Sequence, residues 1–329
     1  QTTEATAQIF AMDTVMEVAA YGEHAEQAVK YTEKRIEELE NRLSRTKAHS
    51  LVSGLNRDGS IRHLTYDYWN LIARAKEYRD ATNGAFDITI APVMDAWGFT
   101  GDSFRVPEQS ELDTLLKKVN SDAIQMLGSP SDSVTLGEGQ AIDLGGIAKG
   151  YTSDCVEAVF YDHEIENGKI SLGGNVFVLG TKPDGSDWRV GIKDPRNESG
   201  LAAILSLRDA YAITSGGYER YFEENGKTYH HIIDPSTGYP ADSGLLSVTV
   251  VAADNGPDWA GAGNGAMCDA FSTALFVMGE EQALDFWRNG GYDFDLVLVT
   301  EDGRVVITAG LADRFEEVKD SGYTYETVS

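Results

Sequence analysis

Ser247–Gly279 reads SVTVVAADNGPDWAGAGNGAMCDAFSTALFVMG, and three kinds of local structure follow one another within it. The run Leu246–Ala252 is β-branched and apolar and predicts a strand. Asn255–Ala266 (NGPDWAGAGNGA) predicts a glycine-rich loop, expected to be mobile. Asp269–Met278 then predicts a helix. Strand and helix side by side point to a mixed α/β architecture, and the flanking chain repeats the alternation. Upstream, Trp188–Ile192, Ala203–Leu207 and Tyr229–Ile233 read as strands. Downstream, Glu281–Arg288 reads as a helix, and Asp295–Thr300 with Arg304–Thr308 as a hairpin.

The first half has more helix. Gln8–Tyr21 predicts an opening strand or hairpin. In Glu23–Arg45, Val29, Ile36, Leu39 and Leu43 fall at spacings of 7, 3 and 4, an amphipathic helix. Tyr66–Thr82 is a second helix, stopped by Asn83-Gly84, and Ser110–Val119 a short third. Short strands are expected at Ser133–Leu136 and Ala141–Leu144. A helix should run over Ile147–Tyr161 behind Gly145-Gly146, and Ile170–Leu179 should form two short strands around a Gly-Gly-Asn break. Gln1–Ala7 (QTTEATA) reads as a polar tether, and residues 8–329 as one compact domain, undivided or built of two intimate lobes.

The chain carries 27 basic against 53 acidic residues, a net charge of -26. A surface that acidic repels phosphate backbones and anionic lipid, which argues against nucleic acid or a polybasic membrane contact. An anionic substrate would need positive charge supplied locally. Cys155 and Cys268 are too few for a disulfide framework and sit in no zinc-binding pattern. No apolar run reaches the roughly 20 residues that span a bilayer.

Glycines and short polar residues gather in Gly84–Phe99 (GAFDITIAPVMDAWGF), Asp143–Gly150 (DLGGIAKG), Ser171–Asn175 (SLGGN), Thr214–Arg220 (TSGGYER) with Tyr229–Pro240 (YHHIIDPSTGYP), and Asp269–Thr273 (DAFST). Gly145-Gly146 before a helix is either a tight turn or a phosphate cradle, because a helix start presents free N–H groups. DLGGIAKG has neither Walker A nor GxGxxG spacing. Asp269 and Thr273, four apart on a helix, share a face. They read either as two hard oxygen ligands for magnesium or as a helix cap with a threonine packed behind it. His230 and His231, adjacent in a strand, point to opposite faces. One can face a site and move a proton near neutral pH, and the other is expected in solvent.

Together and in this order, these segments resemble the ApbE family of flavin transferases, from about Phe10 to Leu298. The blocks that carry the likeness are GAFDITIAPVMDAWGF, AIDLGGIAKGYTSD, TSGGYER, HIIDPSTGYP with SVTVVA, and DAFSTALFVMG. The resemblance implies a mixed α/β fold holding FAD in a cleft between lobes, with Mg2+ at the pyrophosphate. It implies transfer of FMN to a threonine of an acceptor redox protein with release of AMP. Hydrolysis of FAD to FMN and AMP, or flavin binding without catalysis, are the alternatives. By position it makes His231 the catalytic base and Gly146, Asp269, Ser272 and Thr273 the metal ligands. FAD contacts would fall on Met12, Ala85, Phe86, Asp87, Asp143, Lys149 and Ile233, with Gly174, Asn175 and Glu219 lining the pocket. It also implies an extracytoplasmic setting, periplasmic or at the cell surface, with a lipid anchor preceding Gln1.

The chain departs from the family pattern in three places. Met12-Asp13-Thr14 stands where MGT is usual. Leu43–Ser50 (LSRTKAHS) puts Thr46 where an FAD-contacting tyrosine is common. The loop Asn255–Ala266 is longer than expected and reads as a lid or a docking element.

Overall fold

The structure, a computed structural model, describes residues 3–258 and 261–329. The N-terminal half contains β1 (Glu4–Ala11), β2 (Thr14–Tyr21), α1 (Ala25–Leu43), α2 (Leu51–Asp58), β3 (Ser60–Ile61), α3 (Tyr66–Ala81), α4 (Ala91–Trp97), α5 (Gln109–Leu116), β4 (Gln125–Leu127), β5 (Ser133–Thr135) and α6 (Ala148–Asp162). After it come β6 (Asn167–Leu172), β7 (Asn175–Leu179), β8 (Trp188–Lys193), β9 (Leu201–Leu207), β10 (Ala210–Gly216), β11 (Tyr221–Glu224), β12 (Lys227–His230) and β13 (Leu245–Ala253). The chain closes with α7 (Asn264–Met278), α8 (Glu280–Asn289), β14 (Asp295–Thr300), β15 (Arg304–Thr308), β16 (Phe315–Glu317) and β17 (Thr324–Val328).

Among the described residues the main sheet has nine strands in ascending chain order, β1-β2-β6-β7-β10-β13-β14-β15-β17, the intervening strands lying in smaller sheets. All neighbours are antiparallel except β15 and β17. Its central strands are buried on both faces and so read as continuous apolar runs. In β14, Leu296 and Leu298 join the core that also contains Ile36 of α1, Val156 of α6 and Phe271 of α7. Val297 and Val299 face the other way, into a second core with Val190, Ile192 and Leu205 of the small sheet β16-β9-β8.

Several boundaries differ from the sequence expectation. Strand β1 begins at Glu4, so the polar N-terminus is already paired with β2 where a free tether was expected. Ala141–Leu144 is not a strand. The Asn56 side chain takes a strand's place there, donating to the Ile142 carbonyl at 3.0 Å and accepting its N–H at 2.8 Å. β12 ends at His230, and Ile233 makes only an isolated bridge to Pro240. β10, which carries the TSG of TSGGYER, and α2 were not anticipated. Of the expected mobile loop, residues 259 and 260 lie outside the described residues.

The largest difference is at α7, which begins at Asn264, so Asp269 lies more than a turn inside the helix. The carboxylate of Asp154 on α6 accepts the N–H groups of Gly263 (2.9 Å), Gly265 (2.7 Å) and Ala266 (2.9 Å). A buried anion at the helix start satisfies donors that would otherwise be orphaned. That offsets the cost of a helical glycine.

Candidate active site

A cavity of about 550 Å³ opens between the β1–β2 turn, the start of α6, the side of α7 and the segment after β12. The turns Met12-Asp13 and Gly145-Gly146, residues in the 85–90 stretch, the segment after α1, β10 and α7 all contribute to its lining.

The metal candidates meet where α6 and α7 cross. Asp269 Oδ2 accepts the Gly150 N–H at 2.8 Å. A Cβ on Gly146 would lie 3.6 Å from Thr273 Oγ1 and 3.1 Å from the Phe86 ring, so that glycine abuts both. Burial pushes the Asp269 carboxyl up to about 7, with Glu219 and Asp154 nearby adding to the rise and Lys149 opposing it. A buried carboxylate with one N–H partner, a threonine hydroxyl and an adjacent backbone carbonyl are hard oxygen donors. Such a set fits Mg2+, which takes one or two carboxylates and completes its shell with phosphate and water. Among the described residues no group of three or more His, Cys, Asp or Glu side chains could bind a metal, and Asp269 is the one carboxylate in this set. Ser272 differs from expectation. It is fully buried and does not line the cavity, and its hydroxyl donates to the Asp269 carbonyl at 2.8 Å and meets Ser215 Oγ at 2.7 Å. Ser215, at the end of β10, does line the cavity and lies 3.4 Å from Thr273 Oγ1.

His231 lines the same cavity as Asp269 and Thr273. Its Nδ1 lies 3.2 Å from the Arg220 carbonyl, which also accepts the His231 backbone N–H at 3.0 Å. A carbonyl only accepts, so Nδ1 carries the proton and the Nε2 lone pair is free. Burial lowers the His231 pKa to about 4, and the charges of Lys149 and Arg220 push the same way, so the ring is neutral at pH 7. Arg220 is itself anchored, donating to the Gly101 carbonyl at 2.8 Å with its guanidinium over Phe104. His230, the last residue of β12, does not line the cavity, and it packs inside the protein where solvent was expected. It bonds the Ala241 carbonyl at 2.8 Å, accepts the Ile232 N–H at 3.2 Å and sets its ring edge-on to Phe276.

Most of the expected FAD contacts line this cavity: Met12, Ala85, Phe86, Asp87, Asp143, Lys149, Asn175, Glu219 and Ile233. Gly174 does not. Gly173 and Gly174, at φ 61° and 95°, make the turn between β6 and β7, and a Cβ on Gly173 would strike Thr14 Oγ1 at 2.2 Å. The Asp87 carboxylate is engaged by Thr89 and Ser121, with Arg79 Nε 3.6 Å away, so it braces its loop. Met12 and Asp13 both have positive φ (50° and 59°) between the paired residues Ala11 and Thr14, the geometry of a type I′ turn. Aspartate tolerates that conformation, which explains how the turn survives without the usual glycine.

Arg45 went unnoticed in the sequence, where attention fell on its neighbour Thr46. Both line the cavity, and the half-buried guanidinium of Arg45 pairs with Asp143 at 3.3 Å and with Asp95. With Lys149 and Arg220 it brings positive charge into a strongly acidic protein. No spacing rule singles out one arginine after a helix. Ser215 did stand in a recognised motif.

Residues 12–296 match the ApbE family. The chain belongs to it. Among ApbE relatives, the FAD:protein FMN transferase of Klebsiella pneumoniae is 33% identical over 88% of this chain and 86% of its own length. That of Treponema pallidum is 30% identical over 88% and 82%. The crystal structure of the ApbE protein of Thermotoga maritima matches with a TM-score of 0.82 at 30% identity, covering 96% of this chain and 97% of that one. Apo flavinyl transferase ApbE of Pseudomonas stutzeri matches at 0.78 and 26%, over 92% and 93%. The ApbE frame accounts for the conjunction seen here, with a glycine turn, a carboxylate–threonine helix face and a histidine brought onto one cavity.

Proposed function

We propose that this protein is an FAD:protein FMN transferase that cleaves the FAD pyrophosphate and joins FMN to a threonine of an acceptor protein. The observation that carries this is the placing of Asp269, Thr273, Gly146, Lys149 and His231 on the walls of one cavity. Had His231 and Asp269 fallen on separate surfaces, no single phosphoanhydride could have met both.

A diphosphate needs its charge offset, its reacting atoms aligned and the nucleophile's proton removed. Gly146, Asp269 and Thr273 would hold Mg2+, which when bound supplies charge neutralisation at the phosphates. Lys149, Arg45 and Arg220 add fixed positive charge in the same cavity. The free Nε2 of His231 takes the proton from the threonine hydroxyl as that oxygen bonds to the FMN phosphorus. The anhydride P–O bond breaks and AMP leaves with the electron pair. Because Nδ1 is tied to the Arg220 carbonyl, the lone pair is presented by Nε2 in one orientation. An acceptor redox protein and an extracytoplasmic setting complete the proposal on the family resemblance.

The test mixes the protein with FAD, Mg2+ and an acceptor domain bearing a threonine flavinylation site. Flavin fluorescence on the denatured acceptor band, with AMP released in equal amount, is the expected result. Free FMN with no labelled acceptor would make the protein a pyrophosphatase, and intact FAD would make it a binder.

A further inference from the structure

Asp154 ends the AIDLGGIAKGYTSD block, touches no part of the cavity and has no role in the chemistry above. It is nevertheless a buried carboxylate that spends both oxygens on the first turn of another helix: Oδ1 takes the Gly265 N–H, and Oδ2 takes those of Gly263 and Ala266. The two helices approach very closely there. A Cβ on Gly265 would sit 2.3 Å from the Gly150 carbonyl oxygen and 2.7 Å from Asp154 Oδ1, and one on Gly150 would meet the Gly265 carbonyl oxygen at 2.1 Å. One turn along α7 from Gly265, Asp269 Oδ2 accepts the N–H of the same Gly150. Gly146 precedes α6, whereas Asp269 and Thr273 lie on α7. The expected ligand set is therefore split between the helices, and its spacing depends on how they are held together.

We infer that Asp154 is a positioning residue for the cation site, holding the first turn of α7 against α6 so that Asp269 and Thr273 are kept beside the Gly145-Gly146 turn. This rests on the cation reading proposed above. Groups that orient metal ligands without touching the metal are worth about ten- to hundredfold in affinity. Asp154→Asn keeps the shape and one acceptor oxygen but turns an amide N–H group toward backbone donors. Gly265→Ala leaves the carboxylate and wedges the helices apart. Both weaken the cation site by the same route with no ligand altered.

The experiment measures Mn2+ binding by electron paramagnetic resonance on the folded full chain without FAD, alongside thermal unfolding. The variants are Asp154→Asn, Gly265→Ala, Asp269→Ala and Val306→Ala, the last a core control on β15. Binding at least tenfold weaker in Asp154→Asn and Gly265→Ala, with Val306→Ala like wild type, supports the inference. If Asp269→Ala loses Mn2+ while Asp154→Asn and Gly265→Ala bind as wild type does, the positioning role is overturned and the cation site stands. If Val306→Ala weakens binding as much at equal loss of thermal stability, the effect is general loosening and the inference falls. If Asp269→Ala binds like wild type, the cation reading itself is wrong.

Discussion

Replacing Asp269 by asparagine separates the stability of the empty site from its function. In the metal-free protein, burial pushes this carboxyl up to about 7, whereas an exposed aspartate titrates near 4. Each intervening pH unit is worth about 1.4 kcal/mol. Holding the bare carboxylate above pH 7 therefore costs at most about 4 kcal/mol, and about half of that is a reasonable expectation after local relaxation. The folded carboxyl titrates above the unfolded one, so its stabilising contribution is complete below about pH 4 and is lost as pH rises through 7. Asparagine keeps an oxygen for the Gly150 N–H and carries no charge. In EDTA, Asp269→Asn is thus expected to be about 2 kcal/mol more stable than wild type at pH 8, with the gap closing toward pH 4. Chemical denaturation at pH 4, 6 and 8 reads this directly, and saturating Mg2+ should raise the stability of wild type alone. A variant less stable than wild type at pH 8, or a gap that does not change with pH, would refute the reasoning. Transfer activity should be lost throughout.

His231→Ala should lower FMN transfer by 10²–10⁴-fold while FAD still binds, and near-normal turnover would remove His231 as the base. With the free-enzyme pKa at about 4, the rise of kcat/KM with pH should be complete by about pH 5; a midpoint near 6.5 would place the ring in solvent. Arg45→Ala leaves Asp143 with only the Gly145 N–H as partner among the described residues and should raise KM for FAD severalfold with the unfolding midpoint little changed. Unaltered kinetics would make Arg45 an ornament of the cavity wall. Asp13→Ala, which keeps the β-carbon at φ 59° but loses the short polar group that eases that conformation, should cost about 1 kcal/mol, and Asp13→Gly, with no β-carbon, should cost nothing. Equal stability of these two variants would contradict the turn geometry.

Local pattern already contained much of this protein. Apolar spacing in 23–45, Asn-Gly after the second helix and β-branched runs in the second half mark elements that form with nearly those bounds, because period and turn chemistry act over a few residues. Most of the motif residues singled out line one cavity, with Gly174 and Ser272 as exceptions. What local pattern left open was decided between residues far apart in the chain. Gly263 to Ala266 looked like loop because nothing nearby rewards helix there, and the Asp154 carboxylate that does so is 109 residues upstream. Asn56 stands in for a strand partner of Ile142 across 86 residues. Arg45 reaches Asp143 across 98. Ser272 and Thr273 are neighbours in one motif, yet helical rotation buries one hydroxyl against Ser215 and gives the other to the cavity. Residue types and spacing settle which groups are offered. Which of them meet, and which are consumed in bracing one another, follows from burial, where every polar group must find a partner and the partner is set by packing.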